Sequence, residues 1–228
     1  MADYDYTTIA KMIDHSLLQQ KLTDAELDAG CRLARDYAVA SVCIKPYYVA
    51  RAAELLAGSG VLVGTVVGFP HGGHLTKIKV AEAEAAMDDG AVELDMVVNI
   101  GKVLSEDWPY VTQDIRAVVE AAHARRAIVK VIFENCFLQD SHKERLCHIC
   151  GEVRADFVKT STGYGDGGAT DEDLKLMRRA SPAQVQVKAA GGVRTFERLL
   201  AVRAIGVTRV GATATQAILD ECKQRLGA

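Results

Sequence analysis

Residues 156–163 read Asp156-Phe157-Val158-Lys159-Thr160-Ser161-Thr162-Gly163, an apolar strand that carries a lysine and runs straight into a glycine turn. The same design recurs in Val185-Gln186-Val187-Lys188-Ala189-Ala190-Gly191-Gly192-Val193-Arg194, which ends on a basic residue opening a helix. Ala127-Ile128-Val129-Lys130-Val131-Ile132-Phe133-Glu134 places a lysine in a third apolar run, and Ala91-Val92-Glu93-Leu94-Asp95-Met96-Val97-Val98-Asn99 does the same with carboxylates. One charged residue in a strand says little; four such strands imply a shared polar interior. Side chains alternate along a strand with period two. Asp95, Lys130, Lys159 and Lys188 therefore share one face, while Leu94, Met96, Val129, Val131, Val158 and Val187 face covering helices.

Outward from these runs, strand and helix alternate along the whole chain. Strands are expected at 12–15, 39–44, 61–68, 92–99, 128–134, 156–161, 185–189 and 208–211. Helices are expected at 23–37, 46–57, 75–89, 105–125, 140–153, 171–180, 195–205 and 215–226. Thr23 and Glu26 read as a capping box, Pro46 suits a first helical turn, and the acids after Thr170 suit a positive helix end. Eight alternating pairs argue for a parallel sheet with helical crossovers. The count and the size favour one closed (β/α)8 barrel over residues 1–228, with no linker or second domain. A barrel builds its site at the C-terminal ends of its strands, and Asp14, Cys43, Asp95, Lys130, Lys159 and Lys188 are expected near such ends.

The 228 residues are 49% hydrophobic, enough for a sizeable core, and the net charge of −3 argues against nucleic-acid or anionic-membrane partners. Met1-Ala2-Asp3-Tyr4-Asp5 does not read as a signal peptide, and no apolar run has the length of a membrane span. A cytoplasmic protein is expected, with its six cysteines reduced. Cys147-His148-Ile149-Cys150 reads as a helix with small core residues, since it lacks a second pair at zinc spacing. His71-Gly72-Gly73-His74 reads as a glycine turn entering a helix, and no metal motif is found.

A lysine is almost never fully buried unless paired. Lys159 is either a solvated strand-end lysine or a desolvated amine. A neighbouring cation would hold that amine neutral, free to attack a carbonyl and form a Schiff base. Three glycine turns follow the last three strands: Gly163-Tyr164-Gly165-Asp166-Gly167-Gly168, Gly191-Gly192-Val193-Arg194 and Gly211-Ala212-Thr213. Any one of them is explained by a turn that needs positive φ. Three on one rim, with Arg194, point to a phosphate site. The spacing around Gly163 and Gly165 does not fit a dinucleotide fingerprint.

The chain resembles the deoxyribose-phosphate aldolase family. The resemblance rests on Ile13-Asp14-His15-Ser16-Leu17-Leu18, Thr65-Val66-Val67-Gly68-Phe69-Pro70-His71-Gly72, Glu93 to Asn99, Phe157 to Gly163, and Val187 to Arg194. It implies a (β/α)8 barrel, a Schiff-base aldolase acting on a small phosphosugar and aldehydes, no metal or cofactor, and a homodimer or homotetramer. It also implies Lys159 as the Schiff-base lysine, Lys188 as the cation beside it and Asp95 as the acid/base. Asp14, Ser16, Cys43, Lys130 and Thr160 would line the pocket. Gly163, Gly191, Gly192, Val193, Arg194, Gly211 and Thr213 would hold the phosphate. Tyr164 stands where phenylalanine is frequent in the family, Gly211-Ala212-Thr213 departs from its usual turn, and the tail tyrosine of some members is absent. A phosphosugar isomerase or epimerase on the same barrel, or a catalytically silent phosphosugar sensor, are the other readings.

Overall fold

The eight apolar runs form eight parallel strands: β1 Ile13–Leu17, β2 Ser41–Ile44, β3 Leu62–Val67, β4 Glu93–Val97, β5 Ile128–Ile132, β6 Phe157–Lys159, β7 Gln186–Ala190 and β8 Arg209–Ala212. They close into a barrel in sequence order, β8 pairing with β1. This is a computed structural model, and it describes residues 4–227. The first three residues and Ala228, which the single-domain expectation for 1–228 includes, lie outside the described residues.

Parallel strands need crossovers, and the helices supply them. They are α1 Tyr6–Ala10, α2 Asp24–Asp36, α3 Val49–Leu56, α4 Thr76–Asp88, α5 Ile100–Leu104, α6 Trp108–Ala124, α7 Asp140–Glu152, α8 Asp171–Ala180, α9 Phe196–Ala204 and α10 Thr215–Leu226. Thr23 and Glu26 form the capping box of α2, and the Thr170 hydroxyl accepts from the Asp173 amide at the start of α8. Expected helix starts differ in two places. The helix expected over 105–125 begins at Trp108, because Ser105 closes α5, Glu106 turns left-handed and the Asp107 carboxylate caps the new start. The helix expected over 46–57 opens with a tight turn at Pro46–Tyr48 before α3. The two five-residue helices, α1 and α5, are too short to leave an amphipathic signature.

Period-two alternation separates two interiors. Leu94, Met96, Val129, Val131, Val158 and Val187 point outward and are fully buried in the apolar layer beneath the helices. Inside the barrel the register sets Asp95 opposite Lys130, Lys159 opposite Lys188, and Lys188 opposite Arg209. Gly64 lies between Cys43 and Glu93 on this face. A Cβ there would come within 3.0 Å of the Val42 carbonyl oxygen and 3.3 Å of the Glu93 Cβ. Glycine at this point lets the long charged side chains share the barrel centre.

Candidate active site

Seven charged side chains from six strands meet inside the barrel. Asp95 on β4 is their hub. Its Oδ2 accepts from Lys159 Nζ at 2.7 Å and from Lys188 Nζ at 2.7 Å, and its Oδ1 accepts from Lys130 Nζ at 2.9 Å. The Cys43 thiol points at the same Oδ2 from 3.8 Å. Lys188 also gives to Asp14 Oδ2 at 2.5 Å, and Lys130 to Glu93 Oε2 at 2.7 Å. Beneath them the Arg209 guanidinium binds Asp14 Oδ1 and, at 2.7 Å, Glu93 Oε2. The cluster thus sets four cationic side chains against three carboxylates.

The electrostatics follow from burial and from who shares which oxygen. Burial pushes the Asp95 carboxyl up, but Lys130, Lys159 and Lys188 outweigh it and hold it well below the usual carboxylate range. Asp14 is likewise buried and likewise held low, by Lys188, Lys130 and Arg209. Burial lowers Lys188, yet Asp14 and Asp95 more than reverse this and raise it. Lys159 goes the other way. Burial lowers it, Asp95 returns only part of the loss, and the charge of Lys188 pushes it down again. Of the two facing lysines, Lys159 is the one whose proton is less firmly held. Burial and the Asp95 charge push the Cys43 thiol up to about 11, so it is a neutral donor at ordinary pH.

A cavity of about 260 Å³ opens above this cluster, and Lys159 lies in its wall. Its other walls include Ser16 and the turns Gly163-Tyr164, Gly191 to Arg194 and Gly211 to Thr213. Every residue expected to hold the phosphate therefore faces one space. The close fit of these turns depends on glycine. The Ala169 amide donates to the Gly191 carbonyl at 2.9 Å, and a Cβ on Gly168 would lie 2.7 Å from that same oxygen. Gly191 itself has φ +82°.

Some expectations need correcting. Of the six residues expected near strand ends, only Lys159 is the last residue of its strand. Asp14 is the second residue of β1, and Asp95, Lys130 and Lys188 are the third of five in theirs. The charges sit deep in the barrel, and Asp14, Cys43, Lys130, Lys188 and Asp95 lie outside the lining of the cavity that Lys159 borders. Thr160 does not face that cavity either. Its hydroxyl donates to the Ala190 carbonyl at 2.9 Å and accepts from the Ala190 amide, pinning the end of β6 to β7. Among the described residues no group of three or more His, Cys, Asp or Glu side chains could hold a metal ion.

Four residues escaped the sequence reading of the site. Glu93 and Arg209 belong to the charged face, two positions from Asp95 and Gly211, so the same period-two rule would have found them. Glu134 has φ 58°, is buried just beyond β5, and accepts from both the amide and the hydroxyl of Thr162. It thereby shapes the turn above Lys159. Nothing in the local sequence marks that role. Leu18 completes the rim. The Tyr164 hydroxyl donates to its carbonyl at 2.6 Å, and the Tyr164 ring packs edge-on against Phe69 at 5.4 Å.

The barrel thus sets a buried lysine, beside a second lysine and a shared carboxylate, at the foot of a glycine-lined cavity. Comparisons with known proteins place the chain among aldolases. The DeoC/LacD family aldolase model matches residues 8–219. The deoxyribose-phosphate aldolase of Rhodopirellula baltica is 60% identical over 227 residues, covering 100% of this chain and 94% of that protein. That of Clostridium perfringens strain 13 is 47% identical over 95% of this chain and 96% of its own length. The solved structure of the deoxyribose phosphate aldolase from Aeropyrum pernix, described as tetrameric, superposes with a TM-score of 0.89 at 28% identity, covering 97% of this chain and 93% of that one. The chain belongs to the DeoC/LacD family of aldolases. It is an enzyme, and the silent-sensor reading falls away. Among the described residues no helix is long and apolar enough to cross a membrane.

Proposed function

We propose that the chain cleaves 2-deoxy-D-ribose 5-phosphate, reversibly, to D-glyceraldehyde 3-phosphate and acetaldehyde through an imine on Lys159, in deoxyribonucleoside breakdown. The observation that carries this reading is the position of the Lys159 amine. It shares one carboxylate oxygen with Lys188 and borders the glycine-lined cavity. The names of the relatives supply the substrate, and the tetrameric relative supports a homo-oligomer.

The free amine of Lys159 attacks C1 of the open-chain aldehyde. A proton delivered to the resulting hydroxyl lets it leave as water, and a protonated imine remains. That group draws electrons from the C2–C3 bond, because C1 and C2 are the two carbons that end as acetaldehyde. Asp95, acting through water, accepts the proton of the C3 hydroxyl as the bond breaks and glyceraldehyde 3-phosphate departs. The enamine takes a proton at C2, and water then releases acetaldehyde and restores the Lys159 amine. Asp95 suits this task because, among the described residues, it is the carboxylate bonded to Lys159, and its neighbours keep it ionised. Lys188, whose proton is firmly held, remains the cation that disfavours a second charge on Lys159. The Gly191–Arg194 and Gly211–Thr213 turns would seat the phosphate, away from the bond broken, and so fix the aldehyde over the amine.

The test is borohydride reduction in the presence of acetaldehyde, followed by peptide mass spectrometry. The expected product is a two-carbon adduct on Lys159. An adduct on Lys188 or Lys130 would reassign the nucleophile. Complete absence of adduct in a preparation that binds the phosphosugar would return the weight to an isomerase or epimerase.

A further inference from the structure

We propose that Arg209 is a positioning residue for the reaction: by holding Asp14 and Glu93 from the floor of the barrel, it leaves the lysines one carboxylate short, and the shortfall falls on Lys159. This inference rests on the reading of Lys159 as the imine-forming amine. Arg209 is the first residue of β8 and lies outside the lining of the cavity above Lys159. Its Nε and Nη2 both bind Asp14 Oδ1, and Nη2 also reaches Glu93 Oε2 at 2.7 Å and Ser41 Oγ at 3.1 Å. A guanidinium does not surrender its proton in proteins, so one of the four positive charges in the cluster is permanent.

The remaining three cations compete for what Arg209 leaves. A buried cluster with an excess charge is costly and sheds it where it is held least. Lys130 bonds Glu93 and Asp95 and lies 3.6 Å from Asp14, and Lys188 bonds Asp14 and Asp95. Lys159 bonds Asp95 alone, on the oxygen that Lys188 also occupies. It is the cation with the fewest anionic contacts and the one beside the cavity. The directions of the individual shifts agree: Lys130 and Lys188 are raised, and Lys159 is lowered.

The groups that surround Lys159 from the other strands are Asp14 on β1, Cys43 on β2, Glu93 and Asp95 on β4, Lys130 on β5, Lys188 on β7 and Arg209 on β8. On β3 the corresponding residues are Gly64 and Val66, which do not titrate. Arg194 and Tyr164 face the cavity above. If Arg209 were neutral, three lysines would face three carboxylates and Lys159 could keep its proton. If Glu93 were neutral, the excess of positive charge would grow and Lys159 would lose its proton more easily. The two changes together restore the original excess.

The experiment follows the Lys159 two-carbon adduct, trapped with borohydride and acetaldehyde, as a function of pH in the full chain. The proteins are wild type, Arg209→Met, Glu93→Gln and the double variant. The trapping midpoint should rise in Arg209→Met. It should fall in Glu93→Gln and return close to wild type in the double variant. A purely structural role would lower the yield of adduct and leave the midpoint in place. Wild-type midpoints in the folded single variants would overturn the proposal while leaving the imine on Lys159 intact. Should Arg209→Met fail to fold, Glu93→Gln decides alone: a fall in midpoint supports the proposal, and no change overturns it. If wild type yields no adduct at any pH, the imine reading fails first and takes this one with it.

Discussion

Lys79 and Lys159 are both lysines removed from solvent, one between two helices and one inside the barrel. Lys79 on α4 gives its charge to Asp114 of α6 at 2.6 Å and a further hydrogen bond to the Val97 carbonyl at 2.8 Å. Asp114 in turn accepts from the Thr76 hydroxyl. One cation meets one carboxylate, and Lys79 is fully buried. Lys159 shares its carboxylate with two other lysines and borders a cavity. Burial lowers the proton affinity of both amines. A lowered lysine is therefore not in itself a nucleophile, since structural ion pairs shift too. What distinguishes Lys159 is a competing cation on the same oxygen and a space into which a carbonyl can come.

The comparison breaks most directly at the two lysines themselves. Lys159→Leu should abolish both turnover and the trapped adduct, because the covalent intermediate has no other route. Lys79→Met should leave the adduct on Lys159 but cost about 3–5 kcal/mol of stability, the usual price of stranding one partner of a buried pair. Denaturant titration alongside trapping separates the two. A folded Lys79→Met protein without adduct would show that the helix-layer lysine is also part of the chemistry. Next in size is Asp95→Asn, which keeps the shape of the hub and removes its charge. Turnover should fall by on the order of 10² or more, the scale of a general acid–base residue. An unchanged rate would remove Asp95 from the proton relay.

A third test sharpens the contrast on a single strand. Asp14 points into the barrel among cations, whereas His15 points outward and bonds the Thr215 hydroxyl at 2.8 Å. Burial alone takes His15 down to about 4. The unfolded chain therefore binds a proton below about pH 6.5 that the folded chain refuses. The resulting stability is complete above that pH and is lost as pH falls toward 4. At 1.36 kcal/mol per unit the loss is about 3 kcal/mol. Unfolding titrations of wild type and His15→Gln across this range should differ in slope, and parallel curves would remove His15 from the acid response. The smallest effect is expected at the rim. Tyr164→Phe removes the hydrogen bond to the Leu18 carbonyl, worth about 1 kcal/mol. The Michaelis constant for the phosphosugar should rise by about fivefold with turnover little changed. A tenfold fall in turnover instead would place Tyr164 nearer the chemistry.

The fold was legible because eight short apolar runs and their crossovers repeat one pattern, and because period-two alternation separates charge from aliphatic surface in each run. That Lys159, Lys188 and Asp95 meet inside the barrel was legible for the same reason: each breaks an apolar strand on its inward face. Arg209 obeys the same alternation, two positions before Gly211, but as the first residue of β8 it reads as an ordinary polar start to a strand and was passed over. Glu134 was not legible, because its role comes from a left-handed backbone and a hydrogen bond to Thr162, 28 residues away. Thr160 misled in the opposite direction. Adjacent to Lys159, it looked like a pocket residue, but the same alternation that turns Lys159 inward gives the Thr160 hydroxyl to the backbone of β7. The depth of the cluster was hidden too, because strand order says nothing of how far long side chains reach down a tilted barrel.

The double occupancy of Asp95 Oδ2 has a consequence for any attempt to apportion this site among its residues. Two ammonium groups and a thiol address a single atom, so each group's contribution is defined only with the others in place. Single substitutions there will overlap: the losses from Lys159, Lys188 and Asp95 variants, added together, will exceed the loss when all three are changed at once. Groups in one network couple by about 0.5–3 kcal/mol, and residues acting as a unit depart further from additivity. The seven charges behave energetically as one object, and only cycles of paired substitutions can assign it parts.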